Sequence, residues 1–191
     1  IGVVPRLYDM LTGAARIGDL TSGPLIRITD HEMSVSQLCI KRAFDVVAAV
    51  SSMVILSPLY LAIAIAVKLN SEGPIIYAQE RVGLHGRVFR IYKFRSMRVG
   101  SDKGSLVTIG GRDPRITRSG YFIRKFKLDE FPQLINVFKG EMSLVGPRPE
   151  VRHYVDYWTE EQMHVLDVRP GITDPASIKF RNENELMEKA E

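Results

Sequence analysis

The stretch Val46-Val-Ala-Ala-Val-Ser-Ser-Met-Val-Ile-Leu-Ser57-Pro58-Leu-Tyr-Leu-Ala-Ile-Ala-Ile-Ala-Val67 decides how this chain is built. It is almost wholly apolar, relieved only by Ser51, Ser52, Ser57 and Pro58. Lys41, Arg42 and Asp45 bound it on one side and Lys68 on the other. As one straight helix it would be roughly 33 Å long, enough to cross a hydrocarbon core of about 30 Å. Pro58 works against a straight helix, because its ring clashes with the preceding turn and removes a backbone donor, costing about 3 kcal/mol. It divides the run into two arms of roughly 15 to 18 Å each. A helix that enters, bends at Ser57-Pro58 and leaves on the same side therefore also fits. Basic residues at both ends match the positive-inside preference for two cytoplasmic ends. Such a bend must cover the carbonyls it frees, and the Ser57 hydroxyl is placed to help. The residues alone favour the span over the bent hairpin, with a buried core helix of a soluble protein third.

Outward from this run, 191 residues with 45% hydrophobic content allow one globular core plus one membrane segment and exclude a polytopic transporter. Lysine and arginine number 26 against 22 acidic residues, a formal charge of +4. That balance points to an anionic partner such as phosphates, lipid head groups or nucleic acid, and a solvated basic surface reads equally well from charge alone. The lone Cys39 excludes an internal disulfide and a thiolate zinc cage. His31, His85, His153 and His164 form no metal-ligand pair of helical spacing. No signal peptide is visible at Ile1, and both ends read as cut from something longer.

Residues 1–34 read as a linker or the tail of a preceding domain. A short helix over Leu7, Tyr8 and Leu11 would end at Gly13, and Leu25 to Thr29 alternates like a strand. After the apolar run, Pro74 to Arg81 and Arg87 to Phe94 alternate at period two around Gly83-Leu-His-Gly86, which predicts a β-hairpin delivering Lys93, Arg95 and Arg98 to the following loop. Residues 100–118 are rich in Gly, Asp and Arg. Ser119 is the expected cap of a helix over Tyr121 to Lys127 with Phe122, Ile123 and Phe126 on one face, suited equally to a membrane surface or a core. Pro132 fits the first turn of the next helix and Gly140 its end. Phe131, preceding a proline, is expected outside helical geometry. Arg152 to Trp158 and Glu160 to Val168 read as helical, with Thr159 to Gln162 as a capping box.

The chemistry-bearing stretch is Lys127-Leu-Asp129-Glu130-Phe-Pro-Gln-Leu134. It puts two adjacent carboxylates at a helix start, where unsatisfied N–H groups favour anions. Arg112, Arg115, Arg118, Arg124, Lys125 and Lys127 precede it and Arg148 follows, so opposite charge can hold both acids ionised. An ionised Asp is a potential nucleophile or metal ligand, although acids at a helix start are more often caps. On a continuous helix Arg124 would share a face with Asp129.

Six motifs occur in series: Lys41-Arg-Ala-Phe-Asp45, Gln79-Glu-Arg-Val-Gly83, Tyr92-Lys-Phe-Arg-Ser-Met97, Asp113-Pro-Arg-Ile-Thr117, Leu128 to Leu134, and Met142-Ser-Leu-Val-Gly-Pro-Arg-Pro149. In this order they resemble the bacterial monotopic phosphoglycosyl transferases over residues 35 to about 173. The resemblance implies a membrane-associated α+β fold. Residues 35–70 would form a re-entrant membrane helix hairpin broken at Ser57 and Pro58, which reverses the preference for a span. Residues 71–175 would form a small cytoplasmic catalytic domain of short helices and a β-hairpin, with 176–191 a C-terminal segment. It further implies transfer of a sugar-1-phosphate from a UDP-sugar to polyprenyl phosphate, through a phosphosugar on Asp129 and with release of UMP. This is the first membrane step of exopolysaccharide, capsule or O-antigen assembly, on the cytoplasmic face of the bacterial inner membrane. Implied with it are Mg²⁺ on Asp129 and Glu130, Glu130 as metal or proton-transfer partner, and Arg124, Arg148, Lys93, Arg95 and Arg115 as phosphate and substrate ligands. Membrane lipids are implied partners, and homo-oligomerisation is left open.

The chain departs from the family pattern at Lys127 and Phe131, and at Asp174-Pro-Ala-Ser-Ile-Lys-Phe180 where many members continue Gly-Trp-Ala-Gln. The competing reading is a non-catalytic membrane-anchored module that holds anionic lipid or a protein partner. Nucleic-acid binding has no recognition helix, stacking-aromatic array or zinc site behind it.

Overall fold

The computed structural model describes residues 33–101 and 113–174, together with two short strands, β1 (Ala15–Arg16) and β2 (Arg27–Ile28), which pair antiparallel. The expected helix over Leu7 to Leu11, the Gly-rich centre of 100–118 and the segment after Asp174 lie outside the described residues. Residues 1–41 and 42–191 form two units.

The apolar run forms α1 (Val35–Ile55) and α2 (Ser57–Asn70), bent by 63° at the break between them. No single helix among the described residues is long and apolar enough to cross a membrane, whereas the bent pair together meets the requirement of length and composition alone. The break follows from Pro58. Its missing N–H leaves the Val54 carbonyl four residues back without its usual donor, and the Ser57 hydroxyl supplies one at 2.8 Å. Ala49, Ile63 and Val67 are buried, while Phe44, Val47, Val54, Ile55, Leu61 and Leu69 are exposed. One side of the pair thus packs on the protein and the other presents a broad apolar surface.

The hairpin expected from alternation is present as β3 (Ile76–Val82) and β4 (Val88–Phe94), in register from Ile76 opposite Phe94 to Val82 opposite Val88. Phe89, Ile91 and Phe94 point inward. Phe89 and Ile91 pack with Ala49 and with Leu134 and Val137 of α4 (Gln133–Lys139); Phe94 packs with Ile63, Val67 and Ile123 of α3 (Arg118–Lys125). Tyr60 touches both clusters.

Two motif residues that carry no chemistry fix this assembly. Arg42 donates from Nη1 to the Val137 carbonyl at 2.7 Å and from Nη2 to Phe138 at 3.0 Å, satisfying carbonyls at the end of α4. Asp45, buried to 3% exposure, accepts from Ser143 Oγ at 2.8 Å and from Leu144 N at 3.3 Å. It thereby holds β5 (Ser143–Val145), which pairs in parallel with β6 (Gly171–Thr173). That strand pair was not anticipated. It requires glycine at Gly146, where a Cβ would overlap the Arg169 carbonyl oxygen. The remaining helices are α5 (Arg152–Val155) and α6 (Glu160–Met163), the latter opened by the expected capping box of Thr159 and Gln162.

Three local expectations are corrected. Thr117 rather than Ser119 caps α3, its hydroxyl accepting from Gly120 N at 2.9 Å, and the helix runs a few residues earlier than expected. Ile123 is buried while Phe122 and Phe126 lie exposed against each other with ring centroids 4.9 Å apart, so the three do not share a face. Phe131 is in the right-handed helical region despite preceding Pro132. There it links a 3₁₀ turn to α4, its N–H bonding Leu128 O and its carbonyl accepting from Leu134 N, and its ring meets Tyr60 edge-on.

Candidate active site

Asp129 and Glu130 occupy a 3₁₀ turn, Leu128–Glu130, placed between two helices. Lys127 enters it in the left-handed conformation at φ 54°, so α3 does not run on into Asp129 and the expected shared helical face with Arg124 is not formed. The turn is positioned from below by α4. Asn136, fully buried, donates to Arg90 O and Glu141 Oε2, each at 2.7 Å, and accepts from Tyr92 N at 3.1 Å. These bonds lock α4 against β4 and bring Lys93, the next residue of that strand, to the turn.

Glu130 is held by two cations at once. Lys93 Nζ and Arg148 Nη2 each lie 2.9 Å from its Oε1. Burial alone would raise the Glu130 pKa, but the two cations and their hydrogen bonds outweigh it and hold the carboxyl at about 2. Asp129 next to it is treated in the opposite way. Burial raises its pKa, the positive charge of Lys93 opposes this, the Glu130 charge adds to the rise, and Arg124 opposes it more weakly. Among the described residues its carboxylate accepts no side-chain hydrogen bond. Neighbouring acids with environments that push their pKa values apart are a recurrent sign of divided chemical roles.

Arg148 reaches Glu130 from the loop after β5. That loop is fastened to the hairpin: Val82 N donates to Glu150 O at 2.8 Å, and Arg81 Nη1 to Pro149 O at 3.1 Å. Arg81 also pairs with Glu150 at 3.4 Å and bonds Gln79 at 2.9 Å. Burial lowers the Arg81 pKa, Glu150 opposes this, and the like charge of Arg148 adds to the lowering. Arg81, Arg42, Asp45 and Asn136 were not singled out from sequence as site-building residues. Arg42, Asp45 and Arg81 do fall within the recurring motifs, which is the one signal that marks them.

Of the seven expected site residues, the structure thus gathers Asp129, Glu130, Lys93 and Arg148, with the Arg124 charge felt at Asp129. Arg95 is placed elsewhere. Only 5% exposed, it donates from Nη2 to Ser71 O and Ser71 Oγ at 2.7 and 2.8 Å and from Nη1 to Glu72 O at 2.9 Å, closing the end of α2. Arg115 is engaged by Asp113, with Nε 2.9 Å from Oδ1, and by the Ser101 carbonyl at 3.3 Å. The hydrogen bonds from Arg115 hold Asp113 down to about 2. Arg124 links the two groups electrostatically, since its charge acts on both Asp113 and Asp129.

Among the described residues no group of three His, Cys, Asp or Glu converges as a metal cage. A half-buried Asp129 whose carboxylate accepts no side-chain hydrogen bond among the described residues, beside Glu130 with one oxygen bound twice, nevertheless suits a hard cation held by one or two carboxylates and completed by substrate phosphates and water, which is how Mg²⁺ is usually bound.

Comparison with known proteins gives this site a family. The model of the bacterial sugar transferases matches residues 36–191. The chain belongs to that family. It is 37% identical over 99% of its length to the UDP-glucose:undecaprenyl-phosphate glucose-1-phosphate transferase of Escherichia coli K12, covering 42% of that protein. It is 42% identical over 92% of its length to the UDP-N-acetylgalactosamine-undecaprenyl-phosphate N-acetylgalactosaminephosphotransferase of Aeromonas hydrophila, covering 41% of that protein. It is 38% identical over 83% of its length to the undecaprenyl-phosphate galactose phosphotransferase of Salmonella typhimurium, covering 36%. The chain therefore spans about two fifths of the length of these relatives. Three relatives at similar identity name three different sugars, so identity does not select the sugar here.

Proposed function

We propose that this chain carries the catalytic part of a phosphoglycosyl transferase, moving a sugar-1-phosphate from a UDP-sugar to polyprenyl phosphate. An oxygen of the ionised Asp129 carboxylate attacks the sugar-bearing phosphorus. The bond from that phosphorus to the bridging oxygen breaks, and UMP leaves with the oxygen and the electron pair. A phosphate oxygen of the polyprenyl phosphate then attacks the same phosphorus, the Asp129 ester bond breaks, and a polyprenyl diphosphosugar is released with Asp129 restored.

The observation that carries this reading is the unequal treatment of the two carboxylates. Glu130 is fixed and kept ionised by Lys93 and Arg148, whereas Asp129 accepts no side-chain hydrogen bond among the described residues and has a raised pKa. When ionised, the more basic carboxylate is the better nucleophile of the two. Lys93, Arg124 and Arg148 supply positive charge for the phosphates, the arginines with a planar fork suited to phosphate oxygens. Arg95 is assigned to the end of α2 and Arg115 to Asp113. Mg²⁺ held by Asp129, with Glu130 beside it, would supply further charge neutralisation on the diphosphate. The apolar outer side of the bent α1–α2 pair supports its seating in the bilayer as a re-entrant hairpin, with the site at the cytoplasmic face of the bacterial inner membrane.

The test is UMP release from a panel of UDP-sugars with polyprenyl phosphate and Mg²⁺, comparing wild type with Asp129→Asn in nanodiscs. Release from one or a few sugars that Asp129→Asn abolishes is the expected result. Equal behaviour of the two proteins would leave the lipid-binding module as the better reading.

A further inference from the structure

A second site lies at the other end of α3. A cavity of about 630 Å³ is lined by Asn70, Ser71 and Glu72 at the end of α2, by Arg98 and Val99, and by Ile116, Thr117 and Arg118 where α3 begins. Its size is within the range of small-ligand sites, and none of the residues that bind Glu130 lines it. We propose that this cavity binds a phosphate group carried by a lipid.

The first argument is charge. Arg98 and Arg118 face the cavity, and among the described residues neither guanidinium has a hydrogen-bond or ion-pair partner, in contrast to Arg42, Arg81, Arg95, Arg115 and Arg148. Glu72 on the same lining leaves a net charge of +1 from two Arg and one Glu. Two guanidiniums on one cavity, without partners among the described residues, are a ready site for bidentate contact with phosphate oxygens. The Asn70 amide adds a neutral donor, since its oxygen accepts from Ser119 N at 3.5 Å and its NH₂ group remains for a ligand.

The second argument separates a lipid phosphate from a nucleotide. Among the described residues that line it none is aromatic, so these offer no stacking face for a base, while Val99 and Ile116 offer aliphatic wall. The third is position. Asn70 and Ser71 end the second arm of the apolar helix pair. If that pair is seated in the bilayer as proposed above, the cavity opens at the level of the phosphates of membrane lipids, and this part of the argument rests on that reading. From Arg118 to Arg124 along α3 is about 9 Å, close enough for a lipid waiting in the cavity to be passed to the Asp129 site. Both a polyprenyl phosphate and an anionic membrane phospholipid carry the required chemistry.

The experiment measures binding rather than turnover. Affinities of farnesyl phosphate, dioleoyl phosphatidic acid and a UDP-sugar would be determined for the full chain in neutral detergent. Wild type would be compared with Arg98→Gln, Arg118→Gln, the double variant and Lys125→Gln. Loss of one charge-assisted contact corresponds to about tenfold in affinity. Each single variant is therefore expected to weaken at least one lipid about tenfold and the double variant more, with UDP-sugar affinity unchanged and Lys125→Gln at wild-type lipid affinity. Loss for farnesyl phosphate alone assigns the cavity to the acceptor, and loss for both lipids to phospholipid and acceptor alike. Unchanged lipid affinity in both single variants and the double variant, or loss of the UDP-sugar instead, would overturn the proposal. Because the two arginines are exposed, their replacement leaves the core intact, and because binding rather than turnover is read, failure here is separate from failure of the catalytic reading.

Discussion

Asp129 and Glu130 are neighbours in sequence with different electrostatic surroundings, and the difference has a kinetic consequence. The proposed nucleophile is the ionised Asp129, and its pKa is raised above the usual 3.8, chiefly by burial. The first half-reaction should therefore lose rate on acidification at a pH above that of an ordinary aspartate. Glu130 contributes to the rise and Lys93 opposes it, so Glu130→Gln should move the acidic limb down and Lys93→Met should move it up. A pH profile of UMP release for the three proteins checks the signs. Residue by residue, the carboxylate pair drew notice in the sequence by its place at a helix start, and Arg148 by the Pro-Arg-Pro stretch downstream; the structure brings Arg148 to Glu130 across 18 residues. The place of Arg95 was not legible. Its partners, Val67, Ser71 and Glu72, are 23 to 28 residues away and are mostly backbone carbonyls, which no motif announces. Arg95→Ala should accordingly cost about 3 kcal/mol or more of stability by stranding these carbonyls. Arg148→Ala, on a half-exposed side chain, should leave stability within about 1 kcal/mol but lower turnover about 100-fold or more. Thermal unfolding and steady-state rates of the two variants would show the crossing pattern.

Among the elements, those with local signals were readable. Alternation around Gly83 to Gly86 gave β3 and β4, the Ser57-Pro58 pair gave the break between α1 and α2, and the interval from Pro132 to Gly140, whose φ of 90° suits glycine, gave α4. The β5–β6 pair was not readable. Each strand has three residues, the partners are 28 residues apart, and parallel pairing needs no turn that a sequence would display. Yet this pair sets where the Arg148 loop starts. Gly146→Ala should force the Gly146 and Arg169 backbones apart, destabilise the protein by about 1–3 kcal/mol as overpacking does, and reduce turnover even at temperatures where the fold persists. Rates measured well below the unfolding midpoint, set against Arg148→Ala, would reveal whether the loss runs through the same side chain.

For the molecule as a whole, α2 and the carboxylate site belong to one packed unit, because Tyr60 and Val67 of α2 share a cluster with Leu128, Phe131 and Ile123 around the Asp129 turn. A re-entrant seating brings both ends of the bent helix pair to one side of the membrane. Single cysteines at Lys41 and Asn70, introduced into a Cys39→Ser background, should both be labelled from the cytoplasmic side. Labelling of one from each side would establish a span. The overall class was legible because apolar run, hairpin and motif order all agree, whereas the depth of the helix pair depends on the bilayer and on packing, which sequence periodicity does not encode.

The most direct test of the central claim is the intact mass of the protein after mixing with its UDP-sugar and Mg²⁺ in the absence of polyprenyl phosphate. The account predicts an added sugar phosphate on wild type, lost on addition of polyprenyl phosphate and absent from Asp129→Asn. UMP release that proceeds only with acceptor present, with no adduct on rapidly quenched wild-type protein, would contradict it and point to direct transfer between the two substrates.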